Sequence, residues 1–215
     1  MPPLHLYLER SRNVNVDTVC FLVDCHPEAL MTVDSIGRLP LHVACRWGHD
    51  LGVIGVLFEI APKAAFVKTL TWPRSTPLTI TSGEPARYLR RQLNMVEEIV
   101  GNSTSAEDAT AGRFLLHRAL RRNGFSLGAF KLLADKVPAA LHQVDDEGLF
   151  SLHVARRQGA MAIAQYIVLE RNGEAGPLVQ LMLESEEDRE SAEFVGATWL
   201  LMKQSPAETV KNMMD

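Results

Sequence analysis

The sequence lacks the features that mark secreted, membrane-spanning and metal-stabilised proteins. Only three of its 215 residues are cysteines, and none has the spacing of a metal ligand. A disulfide scaffold and a zinc ribbon are therefore excluded, and we expect reduced thiols. The longest strongly apolar run, Val195 to Met202, is too short to span a bilayer. The first residues show no basic start followed by an apolar stretch, so we expect no signal peptide and a cytoplasmic or nuclear protein that is not secreted.

A strong charge of either sign is also missing. The formal net charge is −4, with 22% charged and 47% hydrophobic residues, which is the composition of an ordinary folded protein and excludes wholesale disorder. Such a balance gives the chain as a whole no attraction to nucleic acid or to anionic membranes. The length fits one or two domains.

What the sequence does contain is an internal repeat. A Leu-His pair recurs along the chain, and a fifth copy carries Thr in place of His. These pairs are Leu4-His5, Leu41-His42, Leu78-Thr79, Leu116-His117 and Leu152-His153. The steps between their leucines are 37, 37, 38 and 36 residues, and in three copies a Gly stands four residues before the Leu. Copies so evenly spaced predict a repeat architecture.

A proline follows three of the histidines by 20 to 22 residues, each time after an apolar stretch of helical character. These prolines are Pro27, Pro62 and Pro138. Proline cannot continue a helix, because its ring clashes with the preceding turn and it has no N–H to donate. Each repeat is therefore predicted to consist of a turn, a short helix, a second turn, a longer helix and a loop. One such helix pair cannot bury its apolar face alone, so neighbouring units should stack.

These units resemble the ankyrin repeat, whose core is Asp-x-x-Gly-x-Thr-Pro-Leu-His-x-Ala followed by a basic-x-Gly turn. Residues Asp34 to Ala44 match this core at every defined position except the Thr, and Arg46 to Gly48 match the turn. Asp145 to Ala155 also match in part. The period is longer than the family's roughly 33 residues and is similar to that of long-period ankyrin families. The resemblance covers about residues 3 to 172 and implies an all-α, ankyrin-type helical solenoid of about five stacked helix-turn-helix repeats.

The expected repeats occupy residues 1–33, 34–70, 71–108, 109–144 and 145–173, which together form a stack over 1–173, and a helical C-terminal cap follows over 174–215. The first repeat lacks the leading turn, which fits either a capping repeat or a piece of a longer protein. The third departs most from the pattern: its first helix is cut short by Gly83 and Pro85, and its approach loop over 68–75 is long. It is either a functional site or a decayed repeat.

No constellation for catalysis or metal binding is visible. Helices in neighbouring repeats lie roughly 8–10 Å apart, whereas a zinc ligand lies about 2 Å from its ion, so the repeat histidines cannot share a metal. We expect them to bond the turn backbone instead. Cys45 lies three residues after His42, but no orienting acid or oxyanion donor can be identified, and a small core residue is the alternative. We therefore expect no enzyme, no metal and no cofactor.

Arginines recur four residues after the clear histidines, at Arg46, Arg121 and Arg157. Two interpretations remain open. A cation at a helix C-terminus is stabilising by roughly 0.3–1 kcal/mol, and a basic stripe along the concave face would suit an acidic partner. Trp47 is either an exposed anchor, since Trp and Arg are enriched in binding hot spots, or a residue packed on the following helix.

The resemblance implies a non-enzymatic scaffold or adaptor that binds a protein or peptide through the concave face of the stack. The expected partner contacts are Arg38, Arg46, Trp47, Trp72, Arg113, Arg121 and Arg157. The expected partner is an unidentified protein with an acidic surface, and we expect no membrane partner. The alternatives are nucleic-acid or phosphate-ligand binding through the arginine stripe, which the net charge disfavours, and a regulatory fragment of a larger enzyme.

Overall fold

The computed structural model of the protein describes residues 2–70, 73–101 and 114–170. In these ranges the chain is mostly helical and has no β-strand; a single isolated bridge joins Val144 and Phe150. The all-α class is thus confirmed for the described residues. Their α-helices are α1 (Pro3–Arg10), α2 (Val16–Cys25), α3 (Pro40–Trp47), α4 (Leu51–Ile60), α5 (Pro77–Ile80), α6 (Gly83–Gly101), α7 (Leu115–Leu120), α8 (Leu127–Lys136), α9 (Ser151–Arg157) and α10 (Met161–Glu170).

The described residues divide into two compact units, residues 2–94 and residues 95–170. In the first unit α1 packs on α3, α2 packs on α4, and α3 packs on α5; in the second, α7 packs on α9 and α8 packs on α10. Within each unit, the short first helix of one repeat therefore contacts the first helix of the neighbouring repeat. The longer second helices contact one another in the same way. The expected C-terminal cap over 174–215 lies outside the described residues. None of the helices in the described ranges has both the length and the apolar character needed to cross a membrane.

The predicted repeat frame agrees with the packing. The leucines of the four Leu-His pairs are all buried, with at most 2% of their surface exposed. Burying such side chains is the main favourable term that holds short helices of this kind together. The Leu-His position therefore marks the part of each first helix that faces the core.

A short 3-10 helix starts at each repeat proline, where the sequence predicts only that the helix ends. The three segments are Pro27–Met31, Pro62–Phe66 and Pro138–His142. Proline suits the first position of such a turn, because its fixed φ is already helical and because an N–H at that position would have no partner in the helix. The Ala two residues after each proline is buried, and these residues are Ala29, Ala64 and Ala140. The small side chain lets the 3-10 turn pack closely on its helix pair.

A buried aspartate closes the turn that precedes α3. Oδ1 of Asp34 accepts the backbone N–H groups of Ile36 at 3.0 Å and of Arg38 at 2.8 Å. Gly37 occupies the left-handed region with φ +78°, which is strained for other residues. Asp145 makes the corresponding two backbone bonds in the second unit. The Asp-x-x-Gly pattern is therefore explained by one local hydrogen-bonded turn that occurs in each unit.

The third repeat is irregular, as the sequence predicts. Its first helix, α5, has only four residues and carries Thr79 where other repeats carry His. The first helix already ends at Ile80, and Gly83 and Pro85, which the sequence predicts to cut it short, lie instead at the start of the second helix, α6. Pro85 falls in the first turn of α6, where a missing N–H is tolerated.

Candidate binding cleft

A concave cleft of the first unit lies between the segment that follows α1 and the turn that follows α3. It encloses about 520 Å³. Its lining residues are Glu9 to Val14, Trp47 to Asp50, and Val53. Val14 and Val53 are buried and form an apolar floor, whereas the rim is polar. A cleft of this size accommodates a few side chains of a ligand.

One wall of the cleft is fixed by the way α3 ends. Gly48 takes the left-handed conformation with φ +67°, and the N–H of His49 then bonds the carbonyl oxygen of Ala44 at 3.2 Å. This C-terminal cap satisfies carbonyl groups that the helix leaves free. The side chain of Asp50 starts the next helix by accepting the N–H of Val53 at 3.0 Å. The Trp47 side chain is thereby held at the end of α3 and at the edge of the cleft.

The two walls are joined by His49. Its Nε2 lies 2.6 Å from the carbonyl oxygen of Leu8, in the last turns of α1. The bond ties the turn after α3 to the helix that carries Arg10. The spacing of the walls is therefore set by a direct hydrogen bond and not by side-chain packing alone.

Exposed cations and an exposed indole surround this cleft. Trp47 leaves 54% of its surface exposed, and Arg10 and Arg12 on the opposite wall are also exposed. Arg46 precedes Trp47 and is exposed as well. Among the residues that the structure describes, these three arginines form no ion pair and no side-chain hydrogen bond. Their guanidinium groups are thus available to a ligand.

The acidic groups at the cleft are already engaged. Glu9 lies 3.5 Å from the guanidinium of Arg38. Arg38 is only 8% exposed and also bonds Oδ2 of Asp34 from Nε at 2.7 Å. These bonds give Arg38, an expected partner contact, a role inside the fold. One carboxylate oxygen of Asp50 accepts the N–H of Val53. Asp50 has no cationic partner among the described residues, so the unpaired guanidinium groups of Arg10 and Arg12 outnumber the unpaired carboxylates of the lining by two to one.

In the second unit two of the expected contact residues, Arg121 and Arg157, lie near each other, but carboxylates of the same unit already pair with them. Arg121 lies 3.0 Å from Asp145 and 3.8 Å from Glu147, and Arg157 lies 3.2 Å from the same Glu147. Desolvation raises the pKa of Asp145, but the backbone N–H groups of Leu149 and Glu147 outweigh it and hold the pKa below its ordinary value. Arg121 and Arg157 line a smaller hollow of about 250 Å³. An acidic partner would have to compete with two resident carboxylates there.

Cys45 and His42 do not form a nucleophile pair. Burial raises the pKa of the Cys45 thiol to about 12, although a hydrogen bond with Thr81 acts in the other direction. Thiolate is the reactive form of cysteine, so this side chain is inert near neutral pH. Both ring nitrogens of His42 are engaged by backbone groups, Nδ1 by Leu39 and Nε2 by Val67. The core-residue interpretation of Cys45 is confirmed.

The repeat histidines bond the backbone beside the turns, as the sequence predicts. In three repeats Nε2 of the histidine lies 2.8 to 2.9 Å from a carbonyl oxygen. The three bonds join His5 to Arg38, His42 to Val67 and His117 to Leu149. Within the described part of the chain, no group of three or more His, Cys, Asp or Glu side chains is placed to hold a metal ion.

In two of these histidines, His5 and His117, the other ring nitrogen, Nδ1, has no hydrogen-bond partner among the described residues. In regular repeats the backbone N–H of the helix N-cap bonds Nδ1. The N-cap before His5 is Pro2, which has no N–H. The N-cap before His117 is Phe114, which has φ +61° and directs its N–H to Oε1 of Gln143 at 3.3 Å. Each exception therefore has a local cause.

Comparison of the chain with protein-family models, with curated proteins and with solved structures gives no match. The chemistry of the cleft is therefore what its own side chains supply: unpaired guanidinium groups, one half-exposed indole and an apolar floor.

Sequence reasoning finds one wall of the cleft and misses the other. Trp47 and Arg46 belong to the predicted contacts, whereas Arg10 and Arg12 do not. If the first repeat is aligned on its Leu-His pair, Arg10 corresponds to Trp47 and Arg12 to His49. The missing glycine turn after the first helix hides this correspondence. Two further predicted contacts, Trp72 and Arg113, lie outside the described residues.

Proposed function

We propose that the chain is an ankyrin-type solenoid of about five helix-turn-helix repeats, and that it serves in the cytoplasm or nucleus as a non-enzymatic scaffold that binds a protein or peptide. The fold proposal is supported by the recurrent order of short helix, longer helix and proline-started 3-10 turn. It is carried above all by the repeated bond from a first-helix histidine to a carbonyl beside the following turn. The bonds of His5 and His117 each link one repeat to the following repeat, and that of His42 reaches the segment that leads into the third repeat, as stacking requires.

The binding proposal is supported by the surface at the end of α3. Trp47 is half exposed although a large indole is usually buried in a folded core. Arg46 beside it has no partner among the described residues. Trp and Arg are the side chains that most often dominate binding energy at protein interfaces. An exposed pair of this kind is therefore suited to anchor a partner.

The proposal is tested by affinity capture from a cell extract, followed by mass spectrometry. The bait is compared with the variant Arg46→Glu/Trp47→Ala. Arg90→Glu is the matched control, because Arg90 is exposed in the same unit and no partner for it occurs among the described residues. We expect wild type and the control to retain the same proteins, and the double variant to lose them. Retention by all three baits would place the binding surface elsewhere, and no specific retention by wild type would contradict the scaffold function.

A second candidate is binding of nucleic acid or another phosphate ligand, and the unpaired guanidinium groups of Arg10, Arg12 and Arg46 favour it. Affinity for nucleic acid falls steeply and linearly with the logarithm of salt concentration, because binding releases condensed counterions. A protein interface with few charged contacts shows a much weaker dependence. Measuring the captured complexes at several salt concentrations, before and after nuclease treatment, separates the two candidates.

A further inference from the structure

We infer that the cleft between the ends of α1 and α3 is a docking site for a short acidic peptide segment of a partner protein. The inference rests on the proposed scaffold function and names the ligand class for one surface of it. It is based on the position of Arg10 and Arg12 on one wall of the cleft and of Trp47 on the other wall, above the floor of Val14 and Val53.

Charge complementarity selects an acidic ligand. Arg10 and Arg12 are exposed and unpaired among the described residues, whereas only one unpaired carboxylate, that of Asp50, lies in the lining. Glu9 pairs with Arg38, and Asp50 caps α4 through the N–H of Val53. A carboxylate that enters the cleft therefore meets guanidinium groups that need break no existing ion pair. Such bonds between a guanidinium and a carboxylate are among the stronger hydrogen bonds in proteins.

The rest of the cleft selects a peptide and not a bare anion. The Trp47 indole offers exposed apolar surface that only a ligand with an apolar side chain can cover, whereas the two valines beneath it are almost fully buried. The helix ends at the cleft are the C-termini of α1 and α3, whose carbonyl groups carry partial negative charge. These ends disfavour any anion held close to them, and a compact phosphate has no apolar part that could cover the indole. Glutamate and aspartate side chains instead extend their charge to the exposed arginines while a neighbouring apolar residue contacts Trp47.

The test is direct binding measured by fluorescence anisotropy. The probe is a fluorescein-labelled ten-residue peptide in which Glu-Glu-Leu-Asp-Glu occurs twice. Its matched control carries Gln and Asn in place of Glu and Asp. We expect the acidic peptide alone to bind wild-type protein, and the double variant Arg10→Glu/Arg12→Glu to weaken binding by about tenfold, since each reversal removes one exposed ion pair and adds a repulsion. Arg90→Glu should change affinity by less than about twofold, because Arg90 lines no part of the cleft.

A second readout reports on Trp47 itself. Replacing the other two tryptophans, Trp72→Phe and Trp199→Phe, leaves Trp47 as the only tryptophan. We expect the acidic peptide to protect its fluorescence from acrylamide quenching. Folding of every variant is checked by circular dichroism, so that a loss of binding is not a loss of structure.

Several results would overturn the inference. Equal binding of the neutral peptide would remove the role of charge, and no binding of either peptide would remove the site. Binding of sodium tripolyphosphate or a ten-nucleotide oligothymidylate through Arg10 and Arg12, without peptide binding, would assign the cleft to phosphate ligands instead. If affinity capture still yields specific partners with Arg10→Glu/Arg12→Glu, the scaffold function stands and only the assignment of this cleft fails.

Discussion

The imidazole of His42 joins α3 to the segment that leads into the third repeat, through a 2.9 Å hydrogen bond between Nε2 and the carbonyl oxygen of Val67. On its other side, Nδ1 accepts the backbone N–H of Leu39 at 3.2 Å. An acceptor nitrogen carries no proton, so Nε2 carries it and donates to Val67. The geometry thus fixes both the neutral state and the tautomer of a buried side chain.

Replacing this histidine should destabilise the protein without affecting any metal. His42→Ala removes two hydrogen bonds and strands two backbone groups, and we expect a loss of about 1–3 kcal/mol in the free energy of unfolding. Thr79→Ala is the matched control at the same repeat position. Thr79 is exposed and bonds only backbone and side-chain groups of Thr76 among the described residues, so its loss should be about 0.5–1 kcal/mol. Urea unfolding of both variants checks the order, and equal losses would contradict it.

Stability should decrease as the pH falls below about 6.5, the ordinary pKa of histidine. Desolvation by burial lowers the pKa of His5 and of His42, although backbone hydrogen bonds act in the other direction. The unfolded chain therefore binds protons on these groups before the folded chain does, so protonation favours unfolding. The contribution of each histidine is complete above about pH 6.5 and is lost progressively below it.

Unfolding in urea at pH 7.5, 6.5 and 5.5 measures this effect. We expect wild type to lose stability between the upper and lower values, and His42→Ala to lose less, since one of the responsible groups is absent. A flat profile for wild type, or parallel profiles for both proteins, would show that His42 is not buried in its neutral form.

The sequence predicts those parts of the fold that repeat. The Leu-His pairs locate the core-facing side of the first helices, and each repeat proline marks where a second helix ends. The 3-10 turns are missed, because a proline indicates only that an α-helix cannot continue. The burial of Arg38 is missed as well, since its second counterion, Glu9, lies 29 residues earlier and becomes a neighbour only when α1 packs on α3.

The candidate site is less predictable than the fold because it is made from two different repeats. Arg10 and Trp47 each stand at the end of a first helix, and their approach depends on the bond between His49 and Leu8. No local pattern encodes that bond. The same limit applies to Arg121, whose charge is offset by Glu147 from the following turn.

Two left-handed glycines should respond differently to the same substitution. Gly37→Ala places a Cβ 2.4 Å from Cβ of Leu70 and 2.8 Å from its backbone nitrogen, whereas Gly48→Ala meets nothing within 4 Å. Both variants suffer left-handed strain of about 1–2 kcal/mol. Overpacking should add about 1–3 kcal/mol at Gly37 alone. Thermal and urea unfolding compare the two, and equal destabilisation would mean that the contact with Leu70 does not constrain the turn.

The buried carboxylate of Asp34 should contribute through its hydrogen bonds as well as its charge. Asp34→Ala leaves Arg38 without its closest carboxylate and two turn N–H groups without an acceptor, and we expect a loss of about 3–5 kcal/mol. Asp34→Asn keeps an acceptor oxygen for the turn and should lose clearly less. The measurement is urea unfolding at pH 7, and identical losses for both variants would assign the whole effect to charge.

The third repeat should be the least stable part of the first unit. In the other two repeats of this unit a histidine links a first helix to a carbonyl beside the following turn, but Thr79 is too short and bonds back to Thr76. The helix that carries it, α5, has only four residues. In a nearest-neighbour stack the weakest interface opens first. We therefore expect native-state hydrogen exchange to be fastest between Lys68 and Pro85, apart from the chain ends and residues 101–111.

Exchange across Leu41 to Leu57 provides the internal reference, because these residues span α3 and most of α4 and include many of the fully buried side chains. Local opening should require much less free energy at α5 than there, since few apolar contacts hold a four-residue helix. The turn hydrogen bond from the Thr69 N–H to the Ser75 carbonyl oxygen opposes this trend, but it closes a loop and joins no two helices. If exchange at α5 is as slow as in the reference segment, the loss of the histidine and the shortening of the helix do not weaken the stack, and the third repeat owes its stability to contacts other than the repeated ones.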